Sequence, residues 1–174
     1  MNDSILSADL VKNLKVDAVG KFEIEIYDIE SKPIGFLSLL QKADTNNKHI
    51  VESLTKWRNK YMRFFLTQFT ATTERTKIWL SNVVIPSSNK LLFLIRDYDR
   101  NLIGNFGVAN ISKDKCELDN LIRGERGGHP KLIYFSEIAL LKWLFDKGVN
   151  QVNLHVFANN WPTIKLHKSV GFLE

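Results

Sequence analysis

The segment LDNLIRGERGGHPKLIYFSEIALL, residues 118 to 141, sets three glycines and several basic side chains between an alternating stretch and an apolar helical pattern. A strand that passes through such a loop into a helix presents amide N–H groups that lack intrahelical partners, at the positive end of the helix dipole. Such a place binds an anion. Gly124, Gly127 and Gly128 allow close approach to the backbone, while Arg123, Arg126, His129 and Lys131 add donors or charge. Phosphate is the natural occupant. No GK[ST] follows at Walker spacing and no G-x-G-x-x-G is present, so neither a nucleoside triphosphate loop nor a dinucleotide fold is indicated. The competing reading is a solvated turn whose glycines serve only its tight geometry.

Other groups able to do chemistry lie on either side. Glu117 and Asp119 fall on one face of the alternating stretch, and either carboxylate could act as a general base, with Glu117 the first choice. His167 lies in a short amphipathic segment, where an imidazolium is a competent proton donor near neutral pH or simply a packed side chain. His155, between Leu154 and Val156, shares a strand face with Asn153 and Phe157 and either lines a cleft or is structural. Trp57, Arg58 and Asn59, followed by Tyr61, Arg63, Phe64 and Phe65, form an aromatic and basic cluster that could stack a base and pair with a diphosphate. Trp57, Phe64 and Phe65 are equally good core residues. The four histidines and one cysteine show no ligand spacing, so no metal is expected. Cys116 has no histidine and carboxylate pattern beside it, which argues against a nucleophile.

These residues need a scaffold, and length and composition allow one. With 174 residues, 44% hydrophobic and 25% charged, the chain suits a single domain with a real core. A lone cysteine and a start without a basic and apolar leader fit a reducing cytoplasm, and no 18-residue apolar run is present to span a bilayer. The net charge of +5 favours anionic partners in general, but the 24 basic residues form no stripe, so nucleic acid is not selected.

The order of elements follows from periodicity. Residues 22 to 29 alternate as an exposed or edge strand, 34 to 41 form a second strand, and a helix with Ile50, Leu54 and Trp57 on one face follows, capped by Thr45 or Asn46. A short helix starts at Thr72 or Thr73. Strands over 90 to 97, 102 to 112 and 116 to 123 form a meander. After the glycine loop comes a helix with Pro130 in its first turn and Gly148 as C-terminal cap, then a strand over 149 to 160 and a last helix ending at Gly171. The fold class is mixed α/β with an antiparallel front.

With these residues in place, the chain resembles the GCN5-related N-acetyltransferases over about residues 34 to 172. The stretch Arg123-Gly124-Glu125-Arg126-Gly127-Gly128 is similar to the family's R/Q-x-x-G-x-G/A, with Arg126 where the middle glycine usually stands. NNWPTIKLHKSVGF, residues 159 to 172, resembles N-x-x-A-x-x-x-Y-x-x-x-G-F, with Asn160, Gly171 and Phe172 at matching spacing. Trp57-Arg58-Asn59 is similar to the branch containing nucleotide-amino-sugar and ribosomal-protein N-acetyltransferases.

The resemblance implies a mostly antiparallel central sheet flanked by helices and direct attack of a primary amine on the thioester of acetyl coenzyme A. It implies that Leu121, Ile122, Arg123, Arg126, Gly127, Gly128, His129, Lys131 and Asn160 hold the coenzyme, and that His167 stands where a tyrosine usually protonates the leaving thiolate. Trp57, Arg58, Asn59, Asp119 and His155 would then contact the acceptor. A nucleotide-linked amino sugar is the expected acceptor. A protein N-terminus, or an inactive coenzyme-binding module, are the alternatives. Residues 1 to 33 form an extension with one strand, and residues 34 to 174 the transferase domain. The chain stops at GFLE, so a truncated domain without its last strand is expected, with an open edge that a second copy could pair.

Overall fold

The computed structural model describes residues 5–16 and 20–173. Its sheet has six strands in the order of the chain: β1 (Glu23–Tyr27), β2 (Pro33–Leu39), β3 (Leu91–Asp97), β4 (Leu102–Ala109), β5 (Lys115–Arg123) and β6 (Gln151–Leu154). Each pair from β1 to β5 is antiparallel, as short turns permit. β5 and β6 are parallel, which requires a crossover, and helix α4 (Leu132–Asp146) supplies it. The antiparallel front and the edge position of β1 agree with the alternation read in the sequence.

Helices cover both faces. Leu91, Phe93 and Ile95 of β3 join Leu132, Leu140, Leu141 and Leu144 of α4 in one core, together with Cys116 and Leu118. Leu92 and Leu94 point the other way, into a second core with Ile50, Leu54 and Trp57 of α2 (Lys48–Lys60). β3 is therefore apolar on both sides, as a central strand must be. By the same alternation, Glu117 and Asp119 of β5 lie on the α2 side, opposite Cys116 and Leu118.

Several elements depart from expectation for local reasons. The α2 cap is Asn47, whose side chain accepts from the Ile50 amide, because a 3₁₀ turn over Lys42–Asn46 engages both Thr45 and Asn46. Helix α3 (Thr73–Trp79), capped by Thr72, runs on into a π turn over Leu80–Val84. Pro130 stands two residues before the first residue of α4, outside the helix rather than in its first turn. β6 is only four residues long, and the chain from His155 onward leaves the sheet before helix α5 (Trp161–Ser169).

The N-terminal residues add an element absent from the sequence reading. Helix α1 (Ala8–Asn13) is capped by Ser7, and Leu6 and Val11 enter the α4 core. Lys15 follows, 1% exposed, and its ammonium donates to the carbonyls of Val84 at 2.9 Å, Lys90 at 3.0 Å and Ser87. These three carbonyls have no helix or strand to satisfy them, so one cation holds the loop before β3. Lys15→Met retains the stem but orphans the acceptors, and should lower unfolding free energy by about 3 kcal/mol, read from a denaturant midpoint with unchanged slope.

Candidate active site

The site begins where β5 loses one neighbour. Its pairing with β6 runs from Lys115↔Gln151 to Leu118↔Leu154 and stops there, while pairing with β4 continues to Arg123. From Asp119 onward the side of β5 that faced β6 is open. A bulge lies at the same place: the β4–β5 register shifts between Asn105 and Gly107, and Asn120 takes a φ of 51°. Asparagine tolerates that conformation because its short polar side chain bonds locally. Asn120 donates to the Asp119 carboxylate through its amide at 2.8 Å and its Nδ2 at 2.6 Å, and Asn105 Nδ2 donates to the Asn120 carbonyl at 2.5 Å.

The glycine loop follows and is held from behind by α2. The amides of Gly124 and Glu125 both donate to the Ile103 carbonyl at 2.9 Å, and Tyr61 donates its hydroxyl proton to the Arg123 carbonyl at 3.0 Å. The Glu125 carboxylate accepts from Trp57 Nε1 at 2.9 Å and from Lys56 at 2.7 Å, and the Lys56 bond is the main cause of its lowered pKa. Gly124 lies flat on the Trp57 indole, where a Cβ would come within 1.9 Å of the ring. With this side pinned, the front of the loop is turned outward. Gly127 and Gly128 have φ of 121° and 65°, and among the described residues the amides of Arg126, Gly127, Gly128 and His129 donate to no protein acceptor. The first turn of α4 adds its own unpaired donors. Arg123 bonds the Gly127 carbonyl at 2.7 Å, and Arg126 and Lys131 are exposed at the rim. This cradle fits a diphosphate.

The placement of the remaining candidates divides them. Leu121 is half-buried, whereas Ile122 is 7% exposed in the α2 core, so only its backbone faces the opening. Asn160 caps α5 without a side-chain bond. His129 is half-buried against Phe135, and its Nδ1 accepts from the Lys131 amide. Glu117 accepts from His155 Nδ1 at 2.7 Å and Asn110 Nδ2 at 2.9 Å, and the His155 bond chiefly lowers its pKa. His155 itself is 81% exposed, beside the carboxylate rather than inside a cleft. Asp119 is the opposite case: burial pushes its carboxyl above the usual aspartate range. Burial also pushes the Cys116 thiol up to about 11, so no thiolate is available there.

The tryptophan, arginine and asparagine expected to meet an acceptor are otherwise engaged. Trp57 is 0% exposed beneath the loop and cannot stack a base. Asn59 bonds both the amide and the carbonyl of Ala71, at 2.7 and 2.9 Å. Arg58 lies 3.9 Å from the Phe65 ring centre and donates to the Thr67 carbonyl. Arg58 and Asn59 thus fold the connection between α2 and α3, while Trp57 supports the glycine loop from behind.

His167 is 5% exposed, and its Nδ1 lies 2.5 Å from the carboxylate of Glu137, a fully buried residue of α4. Glu137 was missed in the sequence reading. Its signal was present, since it stands four residues after Ile133 and three before Leu140, on the buried stripe of an apolar helix.

Residues 45–173 match the acetyltransferase (GNAT) domain family, and the chain belongs to that family. It is an N-acetyltransferase whose acetyl donor is acetyl-CoA. Solved structures agree in fold. A spermidine N-acetyltransferase from Vibrio cholerae, in complex with CoA and spermine, aligns at TM-score 0.64 with 20% identity over 79% of this chain and 80% of its own. A GCN5-related N-acetyltransferase from Brucella melitensis aligns at 0.66 with 16% identity over 88% and 69%, and a domain from Methanocaldococcus jannaschii at 0.62 with 23% identity over 73% and 84%. No curated protein matches the sequence. Among the described residues no group of side chains is placed to hold a metal, and no helix is long and apolar enough to cross a membrane.

The loop geometry yields a direct test. Gly124→Ala forces a methyl group into Trp57 and displaces the cradle. The substitution should cost about 2 kcal/mol of stability and lower kcat/KM for acetyl-CoA on the order of 10²-fold. Steady-state kinetics and a thermal melt on the same preparation measure both.

Proposed function

We propose that the chain acetylates the primary amine of a small cationic molecule at the point where β5 and β6 part. The observation that carries this is the pair of carboxylates there: Glu117, held ionised by His155 and Asn110, and Asp119, raised by burial. An ionised carboxylate attracts and orients an ammonium, and a raised one is the better base, because proton transfer favours a pKa nearer the operating pH. Asp119 is therefore the base and Glu117 the orienting anion, which exchanges the roles expected from sequence. The diphosphate of the donor rests on the amides of Arg126 to His129, and the acetyl carbonyl lies along the open side of β5, where unpaired amides polarise it. The amine attacks the carbonyl carbon, the C–S bond breaks with its electron pair going to sulfur, and the thiolate takes a proton from His167.

A nucleotide amino sugar would need a stacking platform other than Trp57. A thiol-release assay with acetyl-CoA against polyamines, nucleotide amino sugars and N-terminal peptides separates the acceptors. Turnover with the polyamine class is the expected result. Turnover confined to sugars or peptides would overturn the acceptor class, and coenzyme binding without turnover on any amine would overturn the transfer reading.

Asp119 also predicts a trade between activity and stability. Between the ordinary aspartate pKa and its raised native value, the folded state keeps a proton that the unfolded chain has lost, so stability falls as pH rises through that window. Asp119→Asn removes the penalty. The variant should lose about 10²-fold in kcat/KM for the amine yet unfold at higher denaturant than the parent at pH 7, with the difference vanishing below the ordinary aspartate range. Full activity in the variant would exclude Asp119 as base.

A further inference from the structure

Glu137 interrupts an otherwise apolar run, YFSEIALL, on the buried face of α4, and its side chain has no exposed surface. One carboxylate oxygen meets His167 Nδ1 at 2.5 Å, and the other, Oε2, is buried without a partner. The neighbouring Ser136 does not supply that partner, since its hydroxyl donates to the Leu132 carbonyl at 2.7 Å. Desolvating a carboxylate and an imidazole together costs more than packing two apolar side chains of the same size, all the more with one oxygen unsatisfied. Stability does not account for the pair.

Its position does. α4 follows β5 through the glycine loop and α5 follows β6, so Glu137 and His167 join the helices that leave the two parted strands. The Phe172 ring packs against the imidazole at 5.7 Å and 70°, so the ring is clamped from a second direction. Nδ1 is taken by Glu137. Among the described residues Nε2 has no hydrogen-bond partner, and it is not among the buried unpartnered atoms, so that nitrogen keeps some exposed surface.

We propose that Glu137 is a positioning residue: by accepting the Nδ1–H bond it fixes the tautomer and orientation of His167, so that Nε2–H is the proton donor to the departing thiolate. The arrangement has the logic of any imidazole whose far nitrogen is held by a buried carboxylate, which fixes the ring and directs its other N–H. The step balances. The C–S bond breaks, sulfur receives the electron pair and then the Nε2 proton, and His167 is left neutral with Nδ1–H still on Glu137. The amine's proton leaves on Asp119, and water restores the proton to the ring.

The inference rests on the acetyl-transfer reading, and one set of variants separates the two. His167→Asn keeps a donor toward Glu137 but removes the second nitrogen, and should lower kcat about 10²-fold with KM for acetyl-CoA unchanged. Glu137→Gln should lower kcat at least about tenfold with the same unchanged KM, and the double variant should be no slower than His167→Asn alone, because the two residues act as one unit. In the parent, ¹⁵N spectra of the histidine ring should show the proton on Nδ1 in a strong hydrogen bond that Glu137→Gln abolishes. Unchanged kcat in Glu137→Gln beside a slow His167→Asn would overturn the positioning role and leave the transfer reading intact. A parent inactive on every amine would overturn both. Should the variants fail to fold, the parent spectrum still decides, since a ring protonated only on Nε2 contradicts the proposal.

Discussion

The end of β5–β6 pairing at Leu118 and Leu154 is the constraint on which the rest of the site depends. A strand pair would ordinarily continue, because unpaired backbone groups cost free energy unless water or a ligand meets them. Here the strands part after four residues of β6, and the bulge at Asn120 twists β5 away at the same level. The two effects together create an open side on β5 that leads straight into the glycine loop. A cofactor with a long amide-bearing arm and a diphosphate end matches such an edge, with backbone groups along the arm and free amides at the diphosphate.

The opening is rigid because the surrounding structure holds it from the rear. Trp57 presses on Gly124, its indole N–H engages Glu125, and Tyr61 holds the Arg123 carbonyl, so the loop's back is fully satisfied and only its front faces outward. Glu125 alone carries the wrong charge for an anion site. It is neutralised by Lys56 and directed at α2, which leaves the amides of Arg126 to His129 as the positive surface. Glu117 and Asp119 lie on the α2 side of β5, one carboxylate stabilised by its partners and the other raised by burial, while Glu137 and His167 join α4 to α5, so the proposed proton acceptor and proton donor stand on different elements.

Much of this was legible in the chain. Period-two alternation identified β1, the turns at YDRN and SKDK divided β3, β4 and β5, the glycine loop marked the helix that follows, and the spacing of Asn160, Gly171 and Phe172 marked α5. What escaped was information that only tertiary contact supplies. Trp57 beside Arg58 is as good a ligand platform as a core residue in one dimension, and only the contact with Gly124 decides between them. Glu117 and Asp119 look alike in sequence, yet His155 and Asn110 stabilise the first while burial destabilises the second. The short β6 could not be separated from the segment after it, because VNLHVF keeps its alternation past the last paired residue. Helix α1 was hidden by its length, since six residues depend on packing rather than on propensity.

The central claim is that backbone amides at the front of the loop hold the diphosphate of the acyl donor. Calorimetric titration with coenzyme A and with pantetheine, which has the same arm and thiol but no diphosphate, compares that contribution with everything else in the groove. The account predicts clear one-to-one binding of coenzyme A and a loss of most of that affinity for pantetheine. Equal affinities for the two compounds would contradict it.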